Sequence, residues 1–386
     1  LETLKALSFT AMEIDQLLLQ LAAGLTHFTW GNAVMIAVGL TLISLAILKK
    51  YEPVLLLPIG FGCMLANLPL TGMIEAGGLF AILYQAGIST ELFPLLIFIG
   101  VGAMIDFSPL LAQPRLALLG AAGQFGIFGT LIVATLLGFP LNEAASIGVI
   151  GAIDGPTSIF VASKLAPHLL APIAVAAYSY MSLVPIIQPP LMKLLTTRAE
   201  RAIRMEYTPR PVSTLARILF PIAVTLIIGL LAPAAAPLIG MLMLGNLLRE
   251  SAVVERLSQA AQNEIINIAT LFLGLTIGAT MTAQSFLHWQ TLLILLLGLL
   301  AFILDTVAGL LFGKLMAFTT RGKINPLIGA AGISAFPMAG RLAARVAQDE
   351  DFENFILMHA MGANTAGQLG SVIAGGVLLA IVSALL

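Results

Sequence analysis

The side chains able to do chemistry in this chain are few, and each stands in apolar surroundings. Asp154 lies in Gly151-Ala152-Ile153-Asp154-Gly155-Pro156-Thr157-Ser158. A carboxylate, the hydroxyls of Thr157 and Ser158, and carbonyls left unpaired by a Gly-Pro turn make the all-oxygen set that a hard cation takes. Asp before Gly-Pro is equally a helix N-cap, which explains the residue type without any ligand. Asp305, in Phe302-Ile303-Leu304-Asp305-Thr306, sits deep in an apolar run. It reads either as an ion or proton carrier or as a packing carboxyl bonded to a neighbouring helix. Asp106 precedes Phe107-Ser108-Pro109, where capping or interfacial solvation is the better reading. Tyr178-Ser179-Tyr180 supplies two phenols about 200° apart on a helix, so the two rings cannot share one role. Asn364 and Ser371 are seven residues apart, with Gly367 between them. That spacing puts two more oxygens on one helical face, although the small residues around them are also what close helix packing needs. Ser334 is a secondary candidate.

These residues must be held by a body that is not water-soluble. Of 386 residues, 59% are hydrophobic and 10% charged, against roughly 25% charged in soluble domains. The composition implies an integral membrane protein, in which an ionisable group at mid-membrane costs at least ~2.5 kcal/mol and is a functional candidate by default. A net charge of -1 gives no clustered basic face for nucleic acid. The single Cys63 and the four histidines, His27, His168, His288 and His359, offer neither a disulfide framework nor transition-metal spacing. No phosphate-binding loop, nucleophile elbow or dinucleotide fingerprint is present. Met192-Lys193-Leu194 faintly resembles a biotin-acceptor site, but it ends a membrane helix where a soluble hairpin would be needed.

The order of segments gives an all-α polytopic architecture. Residues 1–11 do not begin with Met and read as an expression-tag remnant, and Glu13–Phe28 as a short amphipathic helix at the interface. Apolar runs near 30–48, 53–68, 91–107, 115–138 and 171–192 make a first membrane repeat over residues 30–192. Runs near 217–232, 234–248, 266–284, 289–318 and 353–384 make a second over 217–386. Each repeat also holds one interrupted segment, near 144–165 and 326–346. Gly151, Pro156 and Lys164 match Gly332, Pro337 and Arg345 at a constant offset of 181. The residues between the repeats, 193–216, form a basic linker.

Charge decides the topology. If both interrupted segments crossed the membrane, the Lys and Arg after residue 48 would split six to eleven between the two sides. If each instead enters and returns on one side, sixteen of the seventeen share a face and only Lys164 lies on the other. The second arrangement obeys the positive-inside rule and makes the linker cytoplasmic. Five crossings per repeat then give two inverted-topology repeats, each with one broken or re-entrant helical hairpin. The hairpin tips meet near the midplane, where such transporters hold ions and substrates.

Glu52-Pro53-Val54-Leu55-Leu56-Leu57-Pro58-Ile59-Gly60-Phe61-Gly62, Asp154-Gly155-Pro156-Thr157, Tyr178-Ser179-Tyr180-Met181 and Gln188-Pro189-Pro190 strongly resemble the beta subunit of the biotin-dependent, sodium-pumping decarboxylases. That family includes the oxaloacetate, methylmalonyl-CoA, glutaconyl-CoA and malonate enzymes, and the likeness covers about residues 30–386. The resemblance implies a subunit of the bacterial inner membrane that decarboxylates carboxybiotin carried by a partner and couples the release of carbon dioxide to Na+ export with proton uptake. It implies a Na+-binding, proton-linked carboxylate at Asp154, a proton-handling phenol at Tyr180, and a second-repeat Na+ and carboxybiotin region at Asn364, Gly367 and Ser371. Thr157 joins the Na+ ligands by its place beside Asp154. Expected partners are a biotin carrier, a carboxyltransferase subunit, a small single-span gamma or delta subunit and further copies of this chain. The cofactors are then Na+ and biotin, the latter never covalently on this chain. A Na+-coupled carboxylate transporter or a Na+/H+ antiporter of the same architecture is the alternative, since topology does not separate them.

Overall fold

The computed structural model of the chain describes residues 22–50, 52–206 and 211–385. The expected tag remnant and most of the interfacial helix lie outside them; of that helix residues 22–28 are described, and 22–26 are helical. Among the described residues every regular element is a helix. Six helices are long and apolar enough to cross a membrane, and two bent pairs raise the number to eight. The chain is a polytopic membrane protein.

The first half runs α1 (Trp30–Leu48), α2 (Pro53–Ala66), α3 (Leu92–Met104), α4 (Ala117–Ala122), α5 (Phe125–Leu136), α6 (Leu141–Gly148), α7 (Gly155–Leu165) and α8 (Leu170–Leu195). The second runs α9 (Thr214–Leu231), α10 (Ala236–Glu250), α11 (Ile266–Thr280), α12 (Trp289–Thr319), α13 (Leu327–Ala330), α14 (Met338–Glu350) and α15 (Leu357–Leu385). The expected spans near 91 and 266 begin earlier, at Leu79 and Glu255. Each early stretch contains a π-helical turn, Tyr84–Ser89 and Ala261–Ile265, and its polar residues hide it from an apolar-run reading. In the first, Glu91 at φ 63° turns the chain, and the two arms meet at 57°. Helix α8 bends by 59° between Met181 and Leu183. Pro185 accounts for the bend, because its ring crowds the carbonyl four residues back and it offers no N–H.

The halves exchange partners: α2 packs on α11, and α3 packs on α10. Both contacts are backbone against backbone. A Cβ at Gly62 would strike the Leu275 carbonyl and one at Gly278 the Ile59 carbonyl; likewise Gly102 faces Leu242 and Gly245 faces Ile99. Such approach suits lipid, where no hydrophobic effect drives helices together and packing must do it.

Two hairpins fill the middle. The first is α6, a 3-10 turn at Val149–Ala152 and α7; the Asn142 side chain donates to the Leu165 carbonyl at 2.9 Å, tying its two ends together. The second is α13, a turn and α14. Asn325 before it and Asn354 after it both donate to the carbonyls of Arg201 and Ile203, at 2.9 to 3.1 Å. Each hairpin therefore leaves from the end at which it entered. Helix α8 starts beside the base of the first, and its Lys193 pairs with Asp349 at the base of the second, at 3.3 Å. The linker closes on that second base: Arg201 is buried and pairs with Glu350 at 2.6 Å. The exposed Arg204 holds the half-buried Asp351 carboxyl below the usual carboxylate range, a water-facing pair that adds little stability.

The glycine contacts generate a prediction. Gly102→Val and Gly245→Val should each destabilise the detergent-solubilised protein by about 3 kcal/mol or more, since backbone cannot yield as a side chain can. Gly240→Ala, whose nearest neighbour would be Thr225 Cγ2 at 4.0 Å, should be neutral or stabilising by up to about 1 kcal/mol. Thermal unfolding checks both, and equal effects at the three positions would refute the close approach.

Candidate functional site

The first hairpin tip is built to present a carboxylate. After the 3-10 turn, Ile153 takes φ 53°, a left-handed conformation that costs a β-branched residue about 1–2 kcal/mol. Asp154 follows in an extended conformation as the N-cap of α7, with Pro156 in the first turn. The cap bond itself is long, Thr157 N to Asp154 Oδ1 at 3.4 Å. The stronger bonds converge on Oδ2: Thr157 Oγ1 donates at 2.7 Å, Gln368 Nε2 at 2.8 Å and Ser371 Oγ at 3.1 Å. Two of these three donors come from α15. Asp154 is buried and has no cationic side chain beside it among the described residues. A buried carboxylate with neutral donors alone leaves its charge uncompensated, and Oδ1 carries only the long cap bond.

The second tip meets the first. Ser334 Oγ donates to the Ala152 carbonyl, and Ile153, Ile333, Ala335 and Ala339 pack with Val184 and Phe302 into a small apolar cluster at the junction. The turn's carbonyls take amide donors, Gln188 Nε2 to Ala330 at 2.7 Å and Asn364 Nδ2 to Ile333 at 2.7 Å. Gly367 lies against the Gly332 and Ile333 carbonyls with no room for a Cβ. Asn364, Gln368 and Ser371 thus form one face of α15, bonded at one end to the second hairpin and at the other to Asp154. Asn364 Oδ1 is fully buried without a hydrogen-bond partner.

The two tyrosines diverge. Tyr178 lies against Gly155, where a Cβ would come within 2.6 Å of its hydroxyl oxygen, so this ring adjoins the Asp154 turn. Tyr180 donates to the Leu295 carbonyl and packs against Gly298, both on α12. Asp305 accepts from Gly126 N, in the first turn of α5, while its Oδ2 and the neighbouring Thr306 Oγ1 are buried without partners. It joins α12 to α5, and Gly126 in turn lies against Gly151 of the first hairpin turn, so Asp305 adjoins that turn without sharing the hydrogen bonds of Asp154. Asp106 receives Ser108 N at 2.8 Å, a local cap at a half-buried helix start.

Sequence reasoning missed three glutamines. Gln368 binds Asp154, Gln188 binds the second tip, and Gln124 reaches the Gly367 carbonyl at 3.2 Å. A neutral amide inside an apolar helix was the available signal, since such a group must find a partner in lipid. The basal asparagines, Asn142 and Asn325, carry the same signal. The arrangement as a whole supplies oxygen ligands, namely a carboxylate, two hydroxyls and an unengaged amide carbonyl, which suit a hard cation of the Na+ type.

The model of the Na+-transporting oxaloacetate decarboxylase beta subunit matches residues 31–382. The chain is 56% identical to the methylmalonyl-CoA decarboxylase subunit beta of Veillonella parvula, covering 94% of this chain and 96% of that one. It is 56% identical to the glutaconyl-CoA decarboxylase subunit beta of Acidaminococcus fermentans, covering 93% and 96% respectively. To the oxaloacetate decarboxylase beta chain 2 of Salmonella typhimurium it is 48% identical, covering 97% and 100%.

The contact between Gly155 and Tyr178 is directly testable. Gly155→Ala should cost about 1–3 kcal/mol through overpacking, and Tyr178→Leu should relieve most of that cost. In a double-mutant cycle followed by thermal unfolding, the coupling should exceed about 1 kcal/mol; additive effects would remove Tyr178 from the Asp154 turn.

Proposed function

The chain belongs to the family of Na+-transporting decarboxylase beta subunits, and from that premise we propose that it decarboxylates carboxybiotin delivered by a partner and uses Asp154 as the Na+ site of the coupled export. The observation that carries this reading is the buried Asp154 carboxylate, which accepts from three neutral donors drawn from both halves of the chain and has no cationic side chain beside it among the described residues. Na+ is the exported cargo, held by Asp154 Oδ1 with Thr157, Ser371 and the free Asn364 oxygen. Relatives whose names carry three different substrates align with this chain at 48 to 56% identity. What they share with it is therefore the step after carboxyl transfer to biotin, and the carboxyl donor is recognised elsewhere in the complex. Biotin stays on the carrier, alongside a carboxyltransferase and a small single-span subunit.

In the chemistry proposed, release of carbon dioxide leaves a ureido anion that needs a proton, and a phenol is a competent donor. The resemblance implies Tyr180 as the proton-handling phenol, and Tyr178 is the phenol beside the Asp154 turn. Coupling requires that Na+ and carboxybiotin each favour one conformation over the other. Inverted repeats would supply the two states. In support, α2 and α3 exchange partners with α11 and α10, and α8 runs from the base of one hairpin to the base of the other. We place the protein in the bacterial inner membrane with the basic linker cytoplasmic.

Asp154→Asn keeps the size of the cap and an accepting oxygen but removes the charge. It should abolish Na+-dependent decarboxylation of free carboxybiotin by the reconstituted complex, at unchanged expression. In the wild type, half-saturating Na+ should rise as pH falls, because protons and Na+ compete for one carboxylate. Normal activity and Na+ affinity in Asp154→Asn would reduce Asp154 to a helix cap, and solute uptake by the isolated chain in vesicles would favour a secondary transporter.

Orientation is tested separately. A cysteine at the exposed Arg198 should be labelled by a membrane-impermeant maleimide only in inside-out vesicles, the native Cys63 being buried. Labelling from outside intact cells would reverse the topology.

A further inference from the structure

A cavity of about 430 Å³ opens at the linker end, between the α4 approach, residues 205–206, the end of α12 and the start of α15. Its polar lining is Gln113, Arg115, Glu206, Lys323 and His359, and Met205, Met316, Leu116 and Ile324 give it apolar walls. Arg115 and Lys323 are exposed, and neither forms an ion pair with another described residue. His359 is buried and fixed, its Nδ1 bonded to Gln113 Oε1 at 3.0 Å. The cavity lies at the mouth of the second hairpin, since Lys323 and Ile324 directly precede Asn325, which clasps the linker. His359 stands five residues before Asn364 on α15, about 7.5 Å of helix rise.

Two unpaired cations over thioether and aliphatic walls suit one chemical class: a small, largely apolar molecule bearing a single carboxylate. Arg115 can grip the carboxylate in bidentate fashion and Lys323 adds a point charge, while methionine adapts to irregular apolar shapes. Glu206 shares the lining and opposes an anion, so the site depends on two cations outweighing one carboxylate. We propose that this cavity is an entry site for the carboxylated biotin head, which Arg115 and Lys323 hold at the hairpin mouth before it passes towards the tips. The inference rests on the decarboxylase reading above. Both residues bind the substrate and neither belongs to the hydrogen bonds of Asp154.

The test uses the reconstituted complex with Arg115→Gln, Lys323→Gln, the double variant and Arg115→Lys. With free N-carboxybiotin as substrate, KM should rise about tenfold in the double variant while kcat stays within about twofold and half-saturating Na+ is unchanged. Wild-type KM should increase with ionic strength, as a charge-assisted site requires, and this dependence should flatten in the double variant; Arg115→Lys should restore part of the affinity. Unchanged KM for the free substrate overturns the inference, as does a rise confined to carrier-borne carboxybiotin, which would make the cations a docking patch for the carrier. A loss of kcat at constant KM overturns it as well. An inactive wild-type complex would sink the decarboxylase reading and this inference with it, whereas an active wild type with indifferent variants sinks this inference alone.

Discussion

The structure is organised around one requirement, that backbone interrupted inside an apolar body must have its polar groups satisfied by protein. Each hairpin tip frees carbonyls and amides where water cannot reach them, and an unsatisfied group in hydrocarbon costs several kcal/mol. The chain meets this with side chains rather than with further secondary structure. Gln188, Asn364 and Ser334 donate to the carbonyls of Ala330, Ile333 and Ala152, and Asn142, Asn325 and Asn354 close the hairpin bases. Because the donors on α15 serve both tips, this helix fixes where the tips meet, and therefore where Asp154 stands.

The same requirement separates what the sequence announces from what it conceals. Apolar runs mark spans reliably because lipid imposes length and composition together, so the boundaries of α1, α8, α12 and α15 were legible, while the run expected over 115–138 is divided between α4 and α5. The Lys and Arg distribution gave the expectation of re-entrant segments; in the structure, asparagine bonds close the base of each hairpin. The π turns at Tyr84–Ser89 and Ala261–Ile265 were not legible, because a wider helical turn leaves no residue pattern of its own and its polar members interrupt the apolar run.

At the site, the anion was legible and its partners only in part. Asp154 is conspicuous because a charge in an apolar segment has few explanations, and Thr157 because it shares the turn. Ser371 was suggested by its spacing from Asn364. Gln368, which makes the shorter of the two bonds from α15, went unnoticed, since a neutral amide carries no charge to stand out. The direction of the two tyrosines depends on the rotation of α8 about its axis. Three prolines and a 59° bend set that rotation, and local periodicity does not encode it.

The bonding pattern constrains how the Na+ proposed at Asp154 can be coupled to movement. Helix α15 is bonded to the second hairpin through Asn364 and to the first through Gln368 and Ser371. A displacement of either hairpin relative to α15 therefore alters the donors available to Asp154 Oδ2 or frees the Ile333 carbonyl. Hydrogen bonds to a charged group contribute about 1.5–3 kcal/mol each, and inverting a two-state equilibrium from 1:99 to 99:1 takes about 5.5 kcal/mol. Exchanging the Gln368 and Ser371 donors for a cation is thus a change of the size that a conformational switch requires. No long-range relay is needed, because the groups that would release the ion are the groups that hold the two hairpins in register.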